Sequence, residues 1–364
     1  MLEKKTRNSN IELLRIILII FVLIEHYNNT DVGGGLANTA ELPLLNYFLL
    51  ELLDSFATCA VDCFFLITGY FLYKIKTINF RKALHIIFVF CIYRFFSYIL
   101  NVTLGYTDFT VKHCIGTFIP NCYFAIMYST IIIIAPFCNI IMEKLSDKSR
   151  TDFIVILMCL FGLWPSISDF MCSITHISYT GLSNVSAFGN EWGYNIATFL
   201  MMYFIGSYIH FCRDNESRIF FHKKEIDILL YILISIFIFG FGFINKHASN
   251  YCSIFVIIQS ILVFLFFIKL EFSSKIVNFF AKSVWGVYCT HMNIIWFWKL
   301  FNISDNIHRN LMFCLINVFF TVFSVLFVCI LLDKFFALLL VPIEKLIDRV
   351  KFINRKLALI QDSL

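Results

Sequence analysis

The sequence predicts an all-α fold, a polytopic membrane helix bundle of about ten transmembrane helices with both termini cytoplasmic. Three observations carry that expectation. Hydrophobic residues make up 60% of the 364 residues and charged residues 15%, where a soluble domain has about 45–50% and about 25%. Mean hydropathy is +0.81 and 45 residues are Phe, more apolar side chain than a soluble core hides. Ten apolar segments come close to the ~20 residues that cross about 30 Å of hydrocarbon. A disordered chain, a secreted disulfide scaffold and an ordinary cytosolic enzyme are thereby excluded. A net charge of +5 is too small to argue for nucleic acid.

In order, the segments cover residues 11–28, 46–73, 83–104, 122–142, 152–170, 194–211, 226–245, 251–270, 283–298 and 310–333. The first is too long for a removable signal peptide and lacks its small-residue cleavage site. With the N-terminus inside, 23 of the 29 Lys and Arg fall in inner segments and 4 in outer loops, Arg15 and Arg94 lying within spans. Positive charge marks the cytoplasmic side, so this split supports ten spans. Residues 1–341 are then the membrane domain. In 342–364, Ile343, Leu346, Ile347, Val350, Ile353 and Leu357 recur at helical spacing between basic residues. That pattern fits a cytoplasmic basic amphipathic tail, lying on anionic lipid or packed on the inner loops. The outer segment 166–193 is rich in Ser, Thr, Asn and Gly and holds no Lys or Arg; it is expected to fold over an acceptor as a lid. Most of the 13 Cys sit inside apolar runs and read as small apolar side chains, and Cys59 and Cys63 read as packing. No Cys or His cluster has metal spacing.

An ionisable side chain at mid-span costs about 2.5–3.5 kcal/mol on insertion scales, so its default reading is functional. The first span carries Glu12, Arg15, Glu25 and His26. Arg15 and His26 are eleven residues apart, which places them on one face roughly 16 Å apart along the axis; Glu12 is close enough to neutralise Arg15. In the second span Asp62 shares a face with Gly69, where another helix can approach closely, and a carboxylate so deep calls for a cation such as Arg94 or Arg15, or for a hydrogen-bonding cage. Arg94 itself, in the third span, requires a partner or an anionic ligand. The ninth span sets Tyr288 and His291 at i, i+3, with Trp285, Trp296 and Trp298 expected as an interfacial belt. Two His, several carboxylates and Arg inside a bundle fit either proton-coupled transport of a small solute or glycolipid precursor, or acyl transfer with His as general base. A silent partner in a glycan-synthesis complex is the third reading. The missing internal repeat weakens transport, and the cost of the buried polar groups weakens the silent partner.

Arg15 and His26, set in the NIELLRI stretch from Asn10, resemble the N-terminal signature of membrane acyltransferase family 3, whose members O-acylate sugars and other acceptors at the bacterial cell surface. Four further stretches agree in order: residues 61–70 (VDCFFLITGY); Cys122 with Tyr123, Phe124, Tyr128 and Pro136; residues 199–208 with Tyr203 and Gly206; and residues 283–291 ending in Tyr288 and His291. The resemblance runs from about residue 8 to 340. Thr68 stands where the family usually has Ser, and Cys122 where it often has Trp. Arg81, Lys82 and His85 replace a basic pair in the inner loop. The resemblance implies an acyltransferase of the bacterial plasma (inner) membrane, taking an acyl group, acetyl by expectation, from cytosolic acyl-CoA to a hydroxyl of a cell-envelope polysaccharide or lipid-linked glycan. It implies His26 as general base, Arg15 held by Glu12 at the donor, and Asp62, Tyr288 and His291 completing the polar site. Arg81 and Lys82 would meet the phosphates of coenzyme A, Arg94 being a further candidate. No metal is implied. No hydrolase-like domain follows the tenth span, so transfer is expected of the membrane part alone.

Overall fold

The computed structural model describes residues 8–177, 193–214 and 223–349, the last seven by backbone only. Among these the regular elements are helices, with no strand. Six helical stretches are long and apolar enough to cross a membrane: α4 (Phe80–Thr103), α6 (Tyr123–Lys144), Asp147–Thr175, α9 (Ile196–Asp214), α10 (Lys224–Gly242) and the first 32 residues of α16 (Leu311–Arg349). The stretch Asp147–Thr175 consists of α7 (Asp147–Met158) and α8 (Trp164–Thr175), joined by a π-helical turn. α10 and α16 turn Leu229, Leu233, Phe237, Phe320, Phe327 and Leu338 outward, a surface suited to lipid rather than water.

The other four expected spans fall short for visible reasons. α1 (Ser9–Asn28) carries Glu12, Arg15 and Glu25. α11 (Ile254–Ile268) has 15 residues. The second span is broken: α2 (Leu44–Ala57) and α3 (Ala60–Leu72) are separated at Thr58 and Cys59. The ninth is broken into α13 (Val284–Thr290) and α14 (Ile295–Lys299), with a 3₁₀ turn after α13, and is preceded by the short α12 (Lys275–Phe280) and another 3₁₀ turn. Short α5 (Val111–Gly116) and α15 (Ile303–Asn306) lie in connections. α16 continues through Pro342 to Arg349. Of the expected lid, residues 166–175 complete α8, while 178–192, like the tail beyond 349, lie outside the described residues.

Interrupted backbone deep in a bundle is tolerated only where its polar groups find partners. At the α2–α3 break Gln259 Nε2 donates to the Ser55 carbonyl at 2.8 Å, Tyr231 Oη to Phe56 at 2.7 Å and Ser260 Oγ to Cys59 at 3.2 Å. At the second break Trp298 Nε1 donates to the His291 carbonyl at 3.0 Å, and Asn101 Nδ2 to Asn293 at 2.9 Å. This corrects the expected tryptophan belt. Trp298 is fully buried as a backbone partner, Trp296 donates to Asn101 Oδ1 at 2.9 Å, and Trp285 lines an internal pocket.

α1 runs through the middle of the molecule, packed on α2, α3, α11, α12, α13 and α16, with Leu14, Leu18, Leu23 and Tyr27 fully buried. The close approach expected at Gly69 is present. A side chain there would strike the Tyr203 carbonyl, and one at Gly206 would strike the Leu66 carbonyl. The two glycines thus let α3 and α9 cross backbone to backbone, and Ser207 Oγ donates to the Gly69 carbonyl at 3.2 Å. Asn139 of α6 caps the end of α3 by donating to Leu72 and Ile75 carbonyls at 2.7 and 2.8 Å.

Candidate active site

His26 stands near the C-terminal end of α1, and the chain beyond it folds back to fix that end. The N–H groups of Gly33, Gly35 and Leu36 donate to the carbonyls of His26, Tyr27 and Asn28 at 3.0, 2.9 and 3.0 Å, satisfying groups the helix leaves open. A side chain at Gly33 would collide with the Tyr27 carbonyl, so this return requires glycine. Tyr27 Oη donates to Asn317 Oδ1 at 2.7 Å, pinning α1 to α16.

The break after α13 brings the second imidazole to the first. The rings of His26 and His291 lie 4.8 Å apart, and Tyr288 is 5.6 Å from His291. His291 Nδ1 meets the Val287 carbonyl at 3.1 Å, so Nδ1 carries the proton and Nε2 the lone pair. That Nε2 is buried with no hydrogen-bond partner among the described residues, as is Nδ1 of His26. Both side chains line a cavity of about 740 Å³. Glu25, Asp54, Arg94, Cys122, Tyr288 and three further tyrosines also line it.

A second cavity, of about 290 Å³, opens beside Arg15 and contains Lys82, Lys282, Trp285 and Thr68 in its wall. Arg15 keeps its pairing with Glu12, at 3.7 Å. The Trp285 indole N–H is buried and without a partner among the described residues. Tyr288 is the one described residue common to both cavities. Its ring stacks on Trp285 at 5.6 Å, and its hydroxyl lies 3.4 Å from Cys122 Sγ. It therefore borders both the cavity of Arg15, Lys82 and Lys282 and the cavity of the two imidazoles, which Arg94 and Lys246 also line.

The remaining expected residues are distributed as follows. Lys82 lines the cationic cavity, whereas Arg81 is exposed on the first turn of α4 outside it. Arg94, thirteen residues further along α4 and so roughly 20 Å away, lines the His26 cavity and donates to the Ile119 carbonyl at 2.7 Å. Asp62 is fully buried and lines neither cavity, and neither carboxylate oxygen has a hydrogen-bond partner among the described residues. Arg94 and Arg15 thus have other partners than Asp62. Asp54, inside the segment 46–73, and Lys282, just before the ninth segment, were not singled out in the sequence. Glu25 was visible as a buried carboxylate, and its place beside His26 in the chain is the signal that it shares the site.

Residues 8–333 match a family model, Acyl_transf_3, described as an acyltransferase domain. The chain belongs to acyltransferase family 3. No curated protein and no solved structure matches it. Membership in the acyltransferase family and the apolar helices together make this a multi-pass membrane acyltransferase. In this family 3 chain Arg15 and His26 border different cavities.

Proposed function

We propose that the protein transfers an acyl group, acetyl in the first instance, from acyl-CoA at the Arg15 cavity to a hydroxyl of a cell-envelope glycan in the His26 cavity. One observation carries this reading: a cation-lined cavity and an imidazole-lined cavity meet at the single side chain of Tyr288. Arg15, Lys82 and Lys282 suit the donor's phosphates, and the aromatic wall of Trp285, Tyr288 and Phe124 suits its pantetheine arm. His26 acts as general base. It takes the acceptor proton as the hydroxyl oxygen attacks the thioester carbonyl, and the C–S bond breaks to release the coenzyme A thiolate, which is then protonated. The Nε2 lone pair of His291 makes that imidazole the natural partner for the proton held on His26. The Arg15 end faces the cytoplasm in this reading, consistent with the charge split, and the membrane is the bacterial inner membrane.

The test uses membranes, radiolabelled acetyl-CoA and a His26→Ala variant, with label followed into the glycan fraction. Incorporation that requires His26 is expected. Full incorporation by correctly inserted His26→Ala protein would overturn the assignment of the base. A second reading, proton-coupled transport, draws on the two helix breaks beside one cavity, an arrangement found at transporter midplanes. It requires solute flux without turnover of acyl-CoA.

A further inference from the structure

The His26 cavity holds groups that the acyl-transfer step does not use. Glu25 precedes His26 on α1, and Asp54 comes from α2; both line the cavity. Asn28, one turn from Glu25, orients Asp54 by donating from Nδ2 to its Oδ1 at 3.2 Å and to the Leu50 carbonyl at 3.1 Å. Asn28 is 5% exposed and His291 2%. Asn28 and His291 line this space, and Asn28 Oδ1 and His291 Nε2 are buried with no partner among the described residues. A buried polar atom left so costs free energy, and both of these can accept a hydrogen bond.

Resting on the acyltransferase reading above, we propose that Glu25 and Asp54 are the acceptor subsite and grip the hydroxyls of a neutral pyranose beside His26. The chemistry of the wall selects this class. Carboxylates and the Asn28 carbonyl call for donors, which hydroxyl and ammonium groups both supply. The same cavity presents donors as well, on Arg94, Lys246, Asn121 and Asn250. A hydroxyl both donates and accepts, whereas an ammonium only donates, so a polyol satisfies the wall and an amine does not. Glu25 and Asp54 themselves offer a sugar acid's carboxylate no cation to pair with. The apolar face of a pyranose has a counterpart in Tyr123, Tyr194 and Tyr251, whose rings follow one another at 4.4 and 4.6 Å, with Tyr194 Oη donating to Tyr251 Oη at 3.2 Å. The volume of about 740 Å³ lies within the range of small-molecule sites.

Binding tests this without requiring turnover. The full chain in detergent is titrated with methyl glucoside, galactoside and mannoside, and with methyl glucuronide, by saturation-transfer NMR. At least one neutral glycoside is expected to bind, with the glucuronide at least tenfold weaker. Glu25→Gln and Asp54→Asn should each weaken the neutral glycoside at least tenfold while narrowing its advantage over the glucuronide, a change in selectivity that misfolding does not produce. If neither variant folds, the wild-type comparison of neutral and acidic sugars decides alone. Equal binding of glucuronide, no binding by any neutral glycoside, or folded variants that bind like wild type would each overturn the subsite. Label from acetyl-CoA is scored separately. Binding without transfer leaves the subsite standing and overturns acyl transfer, and transfer indifferent to Glu25 and Asp54 does the reverse.

Discussion

At the scale of single residues, the two imidazoles are held differently although they face the same space. His291 is locked by its Nδ1 contact to Val287, which fixes the tautomer, while His26 is held by the capped end of its helix and keeps Nδ1 unpartnered among the described residues. Replacing His26 by Ala should lower acyl transfer by roughly 10²–10⁴-fold, the usual contribution of a general base, with acyl-CoA binding retained in a radioligand assay. Tyr288 borders both cavities. Tyr288→Ala should raise acceptor-independent hydrolysis of acyl-CoA several-fold, because water from the His26 cavity then reaches the thioester; hydrolysis at the wild-type rate would show that the cavities are separated by something else. Arg15, His26, Tyr288 and His291 were legible in the sequence because a polar group inside an apolar run stands out. Their grouping into two cavities was not, since pairwise spacing on one helix carries no information about which neighbours close a wall.

Elements show the same division between what pattern reveals and what packing decides. The close approach at Gly69 follows from glycine on the face of Asp62, and the structure adds its counterpart, Gly206, on α9. The two helix breaks left no mark in hydropathy, because the residues at Thr58–Cys59 and His291–Ile294 belong to continuous apolar stretches without Pro. Their cause is tertiary: Gln259, Tyr231, Ser260 and Trp298, distant in sequence, offer the freed carbonyls partners. Gln259→Leu would leave the Ser55 carbonyl, the Ser235 hydroxyl and the Thr58 hydroxyl short of a partner. A loss of about 1–3 kcal/mol is expected for an unmade buried bond, read as a lower denaturation midpoint in detergent. Asp227→Asn should be as damaging or worse. That carboxylate is fully buried and pairs with Lys269 at 2.6 Å, and breaking such a pair costs about 3–5 kcal/mol.

For the whole molecule, Arg15, Lys82 and Lys282 line one cavity and both imidazoles line another. If ten crossings hold, cysteines introduced at Lys76 and at Asn29 will react with an impermeant maleimide from opposite faces of sealed vesicles, and labelling from one face would remove that topology. A partition at Tyr288 would have an electrical consequence as well. Hydrated recesses carry the potential of the side they open to, so the voltage of an energised membrane drops mainly across whatever divides them. A unit charge crossing that division changes energy by about 2.3 kcal/mol per 100 mV, whereas an acetyl thioester is uncharged. A donor whose phosphates stay with Arg15, while only its neutral tip passes Tyr288, would react at a rate indifferent to membrane potential. Proteoliposomes clamped by a potassium diffusion gradient would show this as a flat rate–voltage relation, in contrast to the slope that a proton relay through the same helices must produce.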